Sequence, residues 1–153
     1  MPGFTPGTAG SEQAIDQNVG PLVVSVEKPG SRRIAIGRWG ESLAAGFLES
    51  LGYQILERNF RTPYGEIDLI ASYGQLTDRT IVFVEVKTRR SKSFGQPEDS
   101  IGPRKRTHLL EAAAYYIQQS PDTTSAWRVD VIAIEQSVRG GAPNITHFEN
   151  VFS

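Results

Sequence analysis

From residue 36 the chain switches between two spacings of apolar residues. Ile36, Trp39, Leu43, Phe47 and Leu51 recur three or four apart and Gly52 follows them, a helical period with a stop signal. This predicts a first helix over about residues 34 to 51. "YQILERNF" and "EIDLIASY" read as strands, and "RTPYG" between them supplies the Pro and Gly of a hairpin turn. "TIVFVEVKT", residues 80 to 88, predicts a third strand, and its unbroken run Ile81 to Val84 is that of a strand covered on both faces. Gly102 and Pro103 provide a cap and a first position for a second helix reaching about Gln119. "WRVDVIAIE" is a further strand, and "ITHFENVF" adds a short last one. The order α-β-β-β-α-β predicts an α/β domain, a mixed sheet flanked by helices, over residues 34 to 153. Residues 1 to 33, rich in Gly, Pro, Ser and Thr with one short apolar patch "PLVVSV", predict a mostly disordered extension.

Charges interrupt two of these strands. Glu85 and Lys87 stand two apart at the end of the third strand, so both project from one face of the sheet. In "GEIDLI" the alternation puts Glu66 and Asp68 on one face and Ile67 with Leu69 on the other. Moving a charge into a protein interior costs several kcal/mol unless a partner or a metal compensates it. Asp68 and Glu85, from neighbouring strands, are therefore expected to converge on a hard cation, Mg²⁺ or Mn²⁺, whose octahedral shell suits carboxylates, a carbonyl and water. Lys87, on the same face as Glu85, would orient an attacking water and neutralise charge on a phosphorane-like transition state. The structural alternative is a Glu85–Lys87 salt bridge at a strand end, with Glu66 and Asp68 belonging to the hairpin turn.

Composition narrows the chemistry. There is no cysteine among the 153 residues, which excludes disulfides, thiolate catalysis and cysteine metal sites. The first residues lack a basic segment followed by an apolar one, and no apolar run approaches the roughly 20 residues of a membrane span, so a cytoplasmic location and no membrane partner are expected. The formal charge is only −1, yet residues 87 to 106 hold seven basic side chains against two acidic, a local +5 suited to a phosphate backbone or to a solvated loop and helix start. Walker, dinucleotide-binding and nucleophile-elbow motifs are absent.

An acid on one strand followed by Glu-x-Lys on the next resembles the PD-(D/E)xK nuclease signature, with the proline replaced in "GEID". More closely, "GRWGESLAAGFLESLGYQILERNFRTPYGEIDLIA", "VFVEVKTRR", "SIGPRKRTHLLEAAAYYI" and "RVDVIAI" resemble the bacterial YraN-like proteins over about residues 36 to 150. These form an uncharacterised family regarded as endonucleases akin to archaeal Holliday junction resolvases. The resemblance implies a restriction-endonuclease-like fold and metal-dependent cleavage of DNA, branched forms included, with a homodimer where paired cuts are made. It places Asp68, Glu85 and Lys87 on the acid, acid and lysine of the nuclease site. Glu41 falls where the resolvases have a helix-one glutamate that completes the metal shell; an ordinary exposed helix glutamate is the alternative. Glu66 is an additional carboxylate, an accessory ligand or a partner for Arg61.

Among the smaller signals, Arg61, Arg89, Arg90 and Lys105 are candidate phosphate contacts, Lys105 by its place at a helix N-terminus and the arginines by their bidentate geometry. Solvated side chains at the domain edge are the alternative. Asp130 in "RVDVIAI" favours a structural ion pair with Arg128 or a lysine over a metal site. His108 and His147 have no partner at ligand spacing, and Tyr115, Tyr116 and Trp127 read as core or edge aromatics. The rival function on the same fold is a DNA-binding or repair-complex module that hydrolyses nothing.

Overall fold

A five-stranded sheet carries one helix on each face. The structure, a computed structural model, describes residue 3 and residues 29–90, 101–122, 125–137 and 139–153. The elements are α1 (Pro29–Ser50), β1 (Gln54–Thr62), β2 (Gly65–Tyr73), β3 (Thr80–Arg89), α2 (Pro103–Gln119), β4 (Ala126–Glu135) and β5 (Asn144–Phe148). The strands lie in the order β1-β2-β3-β4-β5, antiparallel throughout except for the parallel pair β3 and β4. A parallel pair needs a long crossover, which α2 supplies. This is the mixed α/β architecture expected from the pattern, consistent with a restriction-endonuclease-like core.

The covering helices account for the unbroken apolar run of β3. Val82 and Val84 pack with Ala44, Ala45 and Leu48 of α1, whereas Ile81 and Phe83 pack with Leu109, Ala112 and Ala113 of α2. Burying a Val, Ile or Phe side chain stabilises by about 1.5–3 kcal/mol each, so this double cover anchors the sheet's centre.

Most boundaries agree with the pattern, and α1 does not. It begins at Pro29 rather than near residue 34, so the last residues assigned to the extension form the helix's first turns. The remainder of the extension expected over residues 1 to 33 lies outside the described residues apart from Gly3, and the same holds for residues 91–100 of the basic segment. The hairpin is tighter than "RTPYG" suggests, since Arg61 and Thr62 pair with Glu66 and Gly65. Gly52, at φ +91°, ends the α1 region in a conformation that glycine takes without Cβ strain.

One irregularity positions the site. Ile67 packs on the α2 side and Leu69 on the α1 side, so the expected sharing of one face by Ile67 and Leu69 does not hold. The pleat is broken at Asp68, opposite Asn59, which lies between the Arg58–Leu69 and Phe60–Ile67 pairs and has φ +51°. The β2–β3 ladder runs from Tyr73↔Thr80 to Leu69↔Val84, whereas β3 continues beside β4 as far as Arg89↔Glu135. Past Val84, β3 therefore turns a ladder-free edge toward β2.

Candidate functional site

At that edge, the side chain of Asp68 takes the place of a strand. Its Oδ2 accepts the backbone N–H of Val86 at 2.8 Å, between Glu85 and Lys87. Burial, then the charge of Glu85, then that of Glu41 push the Asp68 carboxyl up from 3.8 to about 7; the Val86 hydrogen bond and Lys105 oppose the shift. Glu85 is thus close enough for its charge to disfavour ionisation of Asp68.

Glu85 is buried, its side chain 7% exposed. Its Oε1 lies 3.6 Å from Lys87 Nζ and 3.4 Å from Lys105 Nζ, while its buried Oε2 has no hydrogen-bond partner. A buried carboxylate oxygen with no donor is costly to leave unpaired. Lys87 and Lys105 reach Glu85 from different elements: the first from the same strand, the second from the opening turn of α2 across the sheet face.

Glu41 reaches the region from α1, where the helix passes very close to the sheet. A Cβ added to Gly40 would overlap Thr88 Oγ1, so glycine allows α1 to lie against the end of β3. The next residue, Glu41, lines a cleft of about 470 Å³ together with Arg38, Asn59, Arg61 and Glu66. Arg61 Nε lies 3.9 Å from Glu66 Oε2 at the exposed hairpin, which makes Glu66 a partner of Arg61. Arg90 is exposed and Arg89 half-buried just beyond Lys87. Asp68, Glu85, Lys87 and Lys105 come together; Glu41 acts on Asp68 through its charge and shares its cleft with Arg61 and Glu66.

Arg38, on the wall of the same cleft and three residues before Glu41, was not singled out from the sequence; its i, i+3 relation to Glu41 is the available signal. Arg106, beside Lys105, is directed elsewhere, its guanidinium 5.0 Å from the centre of the Phe152 ring.

A second polar cluster lies away from this edge. Asp130 is fully buried and accepts from Arg128 Nε at 3.0 Å and the Asn150 N–H at 2.8 Å, with His147 Nε2 at 2.7 Å. These hydrogen bonds outweigh its burial and hold its carboxyl below the usual range. Arg128 also donates to Tyr53 Oη at 2.8 Å. The expected structural ion pair of Asp130 is present, and His147, expected to be isolated, belongs to it. Sequence spacing hides this pair because the β4–β5 register, with Ile132 opposite His147, brings it together. Tyr116 and Trp127 pack edge-on against Phe83, as core and edge aromatics do.

The donor set fits a hard divalent cation. Among the described residues no three His, Cys, Asp or Glu side chains gather as a metal cluster. Mg²⁺ ordinarily needs only one or two protein carboxylates, with water and substrate phosphate filling its shell. Asp68 and Glu85 supply two carboxylates, one with an unpartnered oxygen, and their mutual repulsion is what a cation relieves.

A family model described as "Uncharacterised protein family UPF0102" matches residues 40–134, spanning the end of α1 through β4. The chain belongs to UPF0102. This is the YraN-like group that its motifs resemble. A UPF0102 protein of Syntrophomonas wolfei is 47% identical over 117 residues, 76% of this chain and 96% of that protein. One from Syntrophotalea carbinolica is 41% identical over 121 residues, 79% of this chain and 94% of the relative. One from Thermodesulfovibrio yellowstonii is 45% identical over 120 residues, 78% and 97% respectively. UPF0102 thus covers the candidate site from Glu41 to Lys105. Among solved structures, Pyrococcus furiosus SfsA in complex with Ca²⁺ is similar at 11% identity and a TM-score of 0.30, over 77% of this chain and 63% of that one, an overlap too low to bear on chemistry. No helix among the described residues is long and apolar enough to cross a membrane.

Proposed function

We propose that this UPF0102 protein is a metal-dependent endonuclease that hydrolyses DNA phosphodiester bonds, branched repair or recombination intermediates among its substrates. The observation that carries this is a pair of carboxylates, half-buried Asp68 pushed up to about 7 and buried Glu85 with an unpartnered oxygen, beside Lys87. Asp68 and Glu85 would hold Mg²⁺ or Mn²⁺, with Glu41 supporting them from α1. When bound, the cation supplies Lewis-acid stabilisation of charge on the phosphate. Lys87 orients the attacking water and stabilises negative charge as its oxygen bonds to phosphorus. One P–O ester bond then breaks, leaving a phosphate monoester and an alcohol. Arg61, Arg89, Arg90 and Lys105 would hold flanking phosphates. Paired cuts on a four-way junction require two such sites, as a symmetric homodimer presents.

One observation favours a second reading, a DNA-binding module without hydrolysis: Lys87 and Lys105 both pair with Glu85. Labelled single-stranded, duplex, flapped and four-way-junction DNA, incubated with purified protein and Mg²⁺, Mn²⁺ or EDTA, separates the two. The nuclease is expected to cut only with metal, and Asp68→Asn and Lys87→Ala to lose the cutting. Equal binding by all three proteins with no cutting would instead establish the binding module.

A further inference from the structure

We infer that Lys105 occupies the cation's place on Glu85 and must leave it when a divalent cation binds, so that the cation and a DNA phosphate bind cooperatively through this one side chain. The inference rests on the metal-site reading above and concerns how that site is filled and coupled to its substrate.

The two ammonium groups on Glu85 are not equivalent. Lys87 lies two residues away on the same strand face, so the pleat keeps it near Glu85 whatever else binds. Lys105 approaches from another element, is 44% exposed on its side chain, and sits at 3.4 Å from the same oxygen. Charge-assisted hydrogen bonds between such groups close to about 2.7–2.9 Å when made well. Neither lysine achieves that, and Oε2 is left without a partner. Glu85 is therefore compensated in charge and under-satisfied in hydrogen bonding. A small hard cation on Oε2 satisfies both needs, and its positive charge repels an ammonium held on the other oxygen of the same carboxylate.

Lys105 can swing outward by side-chain rotation alone, toward solvent at the N-terminal turn of α2, where Arg104 is also exposed. Backbone amides at such a helix end favour an anion. A phosphate received there draws Lys105 off Glu85 and removes the ammonium that repels a cation from this carboxylate. Linkage makes the effect reciprocal: the cation, by releasing Lys105, strengthens phosphate binding by the same factor.

Mn²⁺ binding to full-length protein, followed by the electron paramagnetic resonance of the free ion, tests this without any cleavage. Wild type, Lys105→Met, Arg106→Met and Asp68→Asn are compared with and without a short duplex carrying non-hydrolysable phosphorothioate linkages. Lys105→Met is expected to bind Mn²⁺ about fivefold to tenfold more tightly than wild type without DNA, a coupling in the usual allosteric range, and to lose the gain that DNA gives wild type. Arg106→Met, which removes the same charge one residue away, from a guanidinium turned onto the Phe152 ring, is expected to leave Mn²⁺ affinity within about twofold of wild type and to retain most of the gain from DNA. Equal tightening by both variants would overturn competition at Glu85 in favour of general charge. Mn²⁺ binding that Asp68→Asn abolishes but Lys105→Met leaves unchanged or weakens would overturn this inference and keep the metal site. No Mn²⁺ binding by wild type or Lys105→Met would overturn both.

Discussion

Asp68 carries an electrostatic cost that can be read as stability. Its carboxyl is raised to about 7, chiefly by burial and then by Glu85 and Glu41, against 3.8 ordinarily. Between those values the folded chain keeps a proton that the unfolded chain has released. Stability from this group is fully present below pH 4, falls as the pH rises toward 7, and is gone above it. The size is on the order of a few kcal/mol. The melting temperature of metal-free wild type should therefore fall from pH 5 to pH 8 relative to Asp68→Asn, whose amide does not titrate. Parallel curves would remove Asp68 as the source of the strain. Asp130 has the opposite sign: its lowered carboxyl contributes stability above the ordinary carboxylate range that is lost in acid, below this window. The two aspartates differ because donors surround Asp130, whereas at Asp68 desolvation, Glu85 and Glu41 outweigh the Val86 N–H.

At the scale of elements, the site depends on how close α1 comes to β3. Gly40 against Thr88 sets that distance and delivers Glu41 to the cleft. Gly40→Ala should force the helix outward, at a cost of about 1–3 kcal/mol for overpacking less the gain in helix propensity. DNA cleavage should fall further than the loss of folded protein explains. Adding Thr88→Ala, which removes the opposing hydroxyl, should restore both; a double mutant no better than Gly40→Ala in chemical denaturation and cleavage would refute the contact. Much of this arrangement was legible in the sequence, and the remainder was hidden for definable reasons. The Glu85–Lys87 face follows from the two-residue period of a strand, and both helices show their apolar stripes. The turn of Asp68 toward Val86 depends on a break in the pleat opposite Asn59, which no local period encodes. His147 meets Asp130 only through the register of β5 on β4. The early start of α1 at Pro29 runs through Gly30 and Ser31, which carry no apolar signal.

For the whole molecule, a formal charge of −1 means that any affinity for DNA has to come from the distribution of charge rather than its total. The topology brings that distribution about. The β1–β2 turn with Arg61, the end of β3 with Lys87, Arg89 and Arg90, and the start of α2 with Arg104 and Lys105 flank the same carboxylate pair. α2 is the crossover between parallel strands, so its N-terminus is the next described element after the end of β3. A basic rim around an acidic centre suits a phosphate backbone whose scissile group lies beside a cation. Such binding should be strongly salt-dependent, because each neutralised phosphate releases about 0.9 counterion on duplex DNA. In EDTA, where cleavage is silent, the slope of log K against log salt should become shallower by about one for Arg61→Ala and again for Arg90→Ala. Glu49→Gln, on the exposed side of α1 away from this rim, should leave the slope unchanged. If the two arginine variants keep the wild-type slope, DNA does not lie along the hairpin and the end of β3.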